Sequence, residues 1–264
     1  MREFAPAIET PASIVARLLS PFQIQVNGNP VAHWPSGKAK SVFKYLLLRR
    51  GHPVSREKAM ALFWPDAERE AARNSLNVAI HRIRRELGHA DPKFPFVLLR
   101  DGCYLLNPCL RVWTDAEAFD KHFVRAGEHQ VHGRHAEAMR EYAACESLYE
   151  SELLTEDCES VWLMPLRQQF RDRYLIALDR LSNHYFDLGQ YGACLTSCTK
   201  MLGVDACNEP AHRLLMRCYA KLEQLQLAEV QYRTCVQALA REVCVPPSAE
   251  TTELYRQIAR RAIA

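Results

Sequence analysis

The chain lacks any apolar run approaching the roughly 20 residues that span a bilayer. Its mean hydropathy is −0.25, which argues against an integral membrane protein. The N-terminus, Met1-Arg2-Glu3-Phe4-Ala5-Pro6, has no basic stretch followed by an apolar one, so a secretory leader is not expected. Ten glycines and 14 prolines without a period exclude collagen-like and low-complexity classes. No Cys-x-x-Cys pair occurs among the ten cysteines, and 264 residues far exceed a disulfide scaffold. These observations imply a soluble cytoplasmic protein whose cysteines are reduced packing thiols.

Catalytic signatures are missing too. Gly37-Lys38 is followed by Ala39 rather than Ser or Thr, and His33 stands where a phosphate-binding loop would open with glycine. Gly-x-Ser-x-Gly, His-Glu-x-x-His and Gly-x-Gly-x-x-Gly are absent. His129, His132 and His135 could in principle hold zinc, but a polar turn between helices accounts for them. The expectation is no enzyme, no metal and no cofactor.

What the chain has is an uneven charge. Residues 1–115 carry 17 Lys+Arg against 10 Asp+Glu, or +7, and the remainder carries 17 against 21, or −4. At roughly 100–200 residues per domain the length suits two domains. A basic half joined to an acidic half points the first toward a polyanion.

The basic half opens with strand patterns, Ile14 to Leu19 and Phe22 to Val26, the second followed by the hairpin dipeptide Asn27-Gly28. Helical spacing follows from Lys38 to Arg49, from an Ser55 cap to Trp64-Pro65, and from Glu70 to Leu87. Phe96 to Arg100 and Cys103 to Leu106 then flank Asp101-Gly102, a second hairpin signal. Residues 107–115 read as a boundary. Beyond Asp115 the pattern is helical, with a 34-residue period that pairs Leu181 with Leu215, Tyr185 with Tyr219, Leu188 with Leu222 and Cys194 with Ala228. Gly133, Ala138 and Tyr142 echo Gly189, Cys194 and Cys198. Thirty-four residues is the tetratricopeptide period. Trp162, Pro165 and the run Phe170 to Phe186 read as helix-packing residues.

The third helix carries the chemistry. Leu76, Ile80, Ile83 and Leu87 form one stripe at about 100° per residue, and Asn74, Asn77, Val78, His81, Arg82 and Arg85 form the opposite face. Asn pairs with adenine and Arg with guanine at the major-groove edge. Arg73 and Arg84 flank that face, Arg100 stands near the hairpin tip, and Lys38 and Lys40 open the first helix; these five suit phosphates or the wing. Three helices and a hairpin are the elements of a winged helix-turn-helix. The fold expected is mainly α: a winged helix over 14–112, with a small β-sheet, three helices and a C-terminal hairpin, and a TPR-like all-α repeat domain over 113–264.

Leu62-Phe63-Trp64-Pro65-Asp66 and Ala72-Arg73-Asn74-Ser75-Leu76-Asn77-Val78-Ala79-Ile80 resemble the DNA-binding domain of the SARP-type bacterial activators, the antibiotic-regulatory-protein family. Glu209-Pro210-Ala211-His212-Arg213-Leu214-Leu215-Met216-Arg217 and Val245-Pro246-Pro247-Ser248-Ala249-Glu250-Thr251 resemble the bacterial transcriptional activator domain that follows in that family. The resemblance covers about residues 14–260. It departs at Ser20, where a glycine is expected, and at Val243-Cys244-Val245, where the family tends to have Leu-Gly-Val. It implies a transcriptional activator that binds promoter repeats in double-stranded DNA as a side-by-side homodimer and recruits RNA polymerase. An alternative is a TPR-like interaction adaptor whose winged helix contacts protein.

Overall fold

The computed structural model describes residues 12–31, 34, 37–157 and 160–263. The chain divides into two compact units, Met1–Glu117 with Leu153–Met164, and Ala118–Glu152 with Pro165–Ala264.

The first unit runs β1 (Ser13–Arg17), β2 (Gln23–Val26), β3 (Asn29–Pro30), α1 (Lys38–Leu48), β4 (Val54–Ser55), α2 (Arg56–Phe63), α3 (Arg69–Gly88), β5 (Val97–Arg100), β6 (Cys103–Leu106) and β7 (Arg111–Thr114). Asn27 and Gly28 join β2 to β3 at φ 51° and 80°, and Asp101 and Gly102 join β5 to β6 at φ 48° and 74°. Those positive angles are what the two dipeptides tolerate. One sheet has the order β3-β2-β1-β7 and the other β4-β6-β5. Val42, Phe43, Leu46 and Leu47 of α1 and Leu76, Ile80, Ile83 and Leu87 of α3 are buried, and α1 packs against α3.

Two local expectations are corrected. Leu18 and Leu19 do not extend the first strand. Their N–H groups donate to the Asp115 carboxylate at 2.7 and 2.9 Å, so they cannot serve a ladder. The stretch 107–115 is not a bare boundary either, because Arg111–Thr114 lies parallel to β1, pairing Val15 with Trp113. Four residues are too short for their alternation to stand out.

The segment Leu153–Met164 belongs to this first unit despite its distance in sequence. Leu153, Leu154 and Leu163 are fully buried, and the Leu154 N–H donates to the Leu18 carbonyl at 2.8 Å. Trp162 stands on a 3₁₀ turn, Val161–Leu163, edge-on to Tyr45 at 5.0 Å and Phe63 at 6.1 Å. It therefore packs in the first unit rather than between repeat helices.

The second unit holds α4 (Asp115–Val131), α5 (His135–Leu148), α6 (Met164–Asp187), α7 (Tyr191–Val204), α8 (Glu209–Lys221), α9 (Leu225–Glu242) and α10 (Ala249–Ile263), α4 beginning in the first unit. Three turns repeat one geometry. At Gly133, Gly189 and Glu223 the backbone is left-handed, with φ 69°, 70° and 61°. The following N–H groups, of Arg134, Gln190 and Gln224, reach back to His129, Tyr185 and Tyr219 carbonyls at 2.8–2.9 Å. This is the paired helix-ending bond that satisfies orphan carbonyls and favours glycine. Glu223 thus fills, one 34-residue period on, the place of Gly189. Cys244, which departs from the family's glycine, keeps the left-handed conformation at φ 56°.

A side chain in that conformation is strained. Glu223→Gly is expected to stabilise the helical unit by a net of about 0.5–1 kcal/mol, after the added freedom of the unfolded chain. Its melting midpoint, followed by far-UV circular dichroism, should rise by roughly 1–4 °C. Gly189→Ala should lower it, although nothing lies within 4 Å of the added Cβ.

The nine described cysteines are free, and Cys158 lies outside the described residues. Cys194, Cys198 and Cys218 share a core with Leu214 and Leu215. Burial pushes the Cys145 thiol up to about 12 and the Cys235 thiol up to about 11, which suits inert packing groups. Among the described residues no group of three or more His, Cys, Asp or Glu could hold a metal ion. No described helix is long and apolar enough to cross a membrane.

Candidate nucleic-acid interface

Ser55 caps α2 by accepting the Lys58 N–H at 3.2 Å, and Trp64-Pro65 ends it. The chain then re-enters α3, whose inner face (Ala72, Leu76, Ala79, Ile80, Ile83, Leu87) is buried against the unit. Helical geometry leaves Asn74, Asn77, Val78, His81, Arg82 and Arg85 on the outside, and all six are exposed. Val78 is 51% exposed, and an apolar group on this polar face can meet a thymine methyl.

The phosphate-facing set divides. Arg73, Arg84, Arg100 and Lys38 are exposed. Arg73, Arg82 and Arg100 make no ion pair among the described residues. Arg84 donates its Nε to the Val97 carbonyl at 3.1 Å, which ties α3 to β5, while its other guanidinium nitrogens make no hydrogen bond among the described residues. Lys40 turns instead toward Glu156, Nζ to Oε1 3.6 Å, and lies 5.0 Å over the Phe22 ring. Arg85 leans on Glu86, with Nη2 to Oε1 2.9 Å and Nε 3.2 Å. An exposed pair of this kind is worth about 0–1 kcal/mol, so a base can displace it.

Sequence reasoning passed over three further residues of this unit. Tyr104 of β6, buried, donates its hydroxyl to Asn77 Oδ1 at 3.3 Å. The Arg56 guanidinium carbon lies 6.0 Å over the Tyr104 ring, and the Arg56 N–H bonds the Gly102 carbonyl at the hairpin tip. Lys44 of α1 is wholly buried, held by Glu156 and Asp157. The Cys-Tyr-Leu-Leu alternation places Tyr104 inward, but nothing local announces its partner.

The model of a bacterial transcriptional activator domain matches residues 114–259, and that of a transcriptional regulatory protein C-terminal domain matches 34–100. The transcriptional regulatory protein EmbR of Mycobacterium bovis and of Mycobacterium tuberculosis is 29% identical over 134 residues, 47% of this chain. That match spans 34% of the relatives' length, about a third. The solved structure of Mycobacterium tuberculosis EmbR in complex with a low affinity phosphopeptide superposes with a TM-score of 0.73 at 21% identity, over 95% of this chain and 66% of that one; at that identity the likeness is one of fold. With a response-regulator-type winged helix followed by an activator domain that fills more than half of its length, the chain belongs to the SARP-type family of bacterial transcriptional activators.

Proposed function

We propose that the protein is a sequence-specific regulator that binds double-stranded promoter DNA, places α3 in the major groove and activates transcription by recruiting RNA polymerase. Residues 14–112 carry the DNA-binding function in this reading, and 113–264 the activator function. The observation that carries it is the outward face of α3, where amides, imidazole and guanidinium groups stand exposed beside the β5–β6 wing. Asn74, Asn77, Val78, His81, Arg82 and Arg85 read base edges, and Lys38, Arg73, Arg84 and Arg100 meet phosphate. Lys40, turned toward Glu156, is the weakest of the phosphate-facing set. Phosphate contacts supply most of the affinity and base contacts the discrimination. Side-by-side pairing of two copies on promoter repeats follows from the family's mode of action, and the mechanism is recruitment without chemistry.

A fluorescence-anisotropy titration against the chain's own upstream DNA and a scrambled duplex tests this. Preference for the upstream fragment supports it. Equal binding, or none, removes sequence-specific regulation at that promoter. Arg85→Ala is expected to weaken binding to the preferred duplex by about 1–3 kcal/mol while leaving the scrambled one nearly unchanged. An equal loss on both would make Arg85 a phosphate contact.

A further inference from the structure

The hydrogen bond between the wing and α3 orients the Asn77 amide, with its oxygen toward Tyr104. An asparagine amide offers one carbonyl oxygen and one NH₂ group. Bidentate recognition of adenine needs both, the oxygen accepting from N6 and the nitrogen donating to N7. In this protein Oδ1 accepts the Tyr104 hydroxyl at 3.3 Å with one of its two lone pairs, which turns the oxygen toward the wing. Tyr104 is itself held firmly. It is buried at 4% exposure, and its strand is the middle one of three, with Tyr104 opposite Val54 on one side and Leu99 on the other. Arg56 stacks its charge over the same ring, and its Nε is buried with no hydrogen-bond partner among the described residues. The phenol cannot swing away without breaking that packing.

We propose that Tyr104 is a positioning residue for sequence recognition: it holds Oδ1 of Asn77 inward so that Nδ2 faces the groove as a donor. Asn77 then reads a base edge that presents acceptors. Guanine, with N7 and O6, satisfies both amide hydrogens; thymine O4 and adenine N7 each satisfy one; cytosine, which presents only a donor, satisfies neither. The base pair under Asn77 is therefore read as guanine over adenine, the reverse of what a free asparagine prefers. This inference rests on the proposal that α3 reads bases, and the experiment keeps the two apart.

The full-length protein selects its site from a randomised duplex library, and affinities are measured for every single-base-pair variant of that site. Wild type, Asn77→Ala and Tyr104→Phe are compared. Asn77→Ala should flatten the preference at one base pair, which identifies the position it reads. Tyr104→Phe keeps the ring and removes only the hydroxyl. At that same pair it should erode the guanine preference by about fivefold, the factor of one hydrogen bond, and leave the other positions unchanged. A merely structural loss would lower affinity evenly across the site instead. An even loss, or an unaltered preference at the Asn77 position, overturns the role of Tyr104 while α3 remains the reading helix. If Asn77→Ala leaves every preference intact, the base-reading role of Asn77 falls and the inference with it.

Discussion

Replacing Lys44 by alanine is expected to destabilise the first unit by about 3–5 kcal/mol, the range for stripping one partner from a buried ion pair. The Lys44 side chain is 0% exposed; its Nζ lies 3.0 Å from Glu156 Oε1 and 2.5 Å from Asp157 Oδ2, and 4.6 Å from the Phe22 ring centre. Removing the ammonium leaves two neighbouring, partly buried carboxylates, with Lys40 at 3.6 Å from Glu156 to offset them in part. The carboxylates stand on the Leu153–Met164 segment, so the same loss weakens the seat of Trp162 against Tyr45 and Phe63. Lys44→Met combined with Glu156→Gln and Asp157→Asn should recover much of the loss, because the buried ammonium and both of its carboxylates are then gone together, and Lys40, which also faces Glu156, is partly exposed. The measurement is selective, since all four tryptophans (34, 64, 113 and 162) lie in the first unit. Urea unfolding followed by tryptophan fluorescence should shift to lower urea in Lys44→Ala, while far-UV dichroism, dominated by the helical unit, moves less. Coincident shifts of both signals by less than about 1 kcal/mol would refute the ion pair as an anchor.

The same pair carries a pH signature. Burial alone would raise the Glu156 carboxyl, but the hydrogen bond and charge of Lys44 outweigh it and hold the group below the usual 4.5. A carboxyl depressed in the folded state contributes stability that is present above about pH 4.5 and lost as pH falls through its lowered value. The tryptophan-monitored stability of the wild type should therefore decline on the acid side, and Lys44→Met should lose the part of that decline due to Glu156.

Local signals and distant ones separate cleanly in this chain. Asn27-Gly28 and Asp101-Gly102 announce their turns because the required positive φ belongs to those residues themselves. The buried stripe of α3 repeats every three or four residues and so identifies its own outer face. The left-handed place at residue 223 is legible only through the period, since glutamate hides what Gly189 shows. Lys44 is different. In Lys44-Tyr45-Leu46-Leu47-Leu48 nothing distinguishes a buried ammonium from a solvated one, because its partners arrive 112 and 113 residues later. Lys40, read as a phosphate contact, turns toward Glu156 for the same reason. Tyr104 is likewise legible as an inward residue of a strand, and its bond to Asn77 is not, since the pair is 27 residues apart on different elements.

Affinity for the promoter duplex is expected to fall about 150-fold between 50 and 200 mM salt for one bound copy, and about 20,000-fold for two. Each neutralised phosphate contributes about −0.9 to the slope of log affinity against log salt. Lys38, Arg73, Arg84 and Arg100 are the exposed cations assigned to phosphate, which makes four contacts and a slope near −3.6 per copy. Arg82 and Arg85 are assigned to bases, and Lys40 is engaged with Glu156, so none of them enters the count. Two copies side by side double the slope to about −7. The salt series thus measures how many copies bind without assuming how they pair. Arg100→Ala provides the internal control, because deleting one phosphate contact should reduce the slope by about 1 in a monomeric complex and by about 2 in a dimeric one. A half-site duplex should return the monomeric slope. A slope shallower than about −2 on the full site would contradict phosphate neutralisation by this surface, and with it the placement of α3 in the groove.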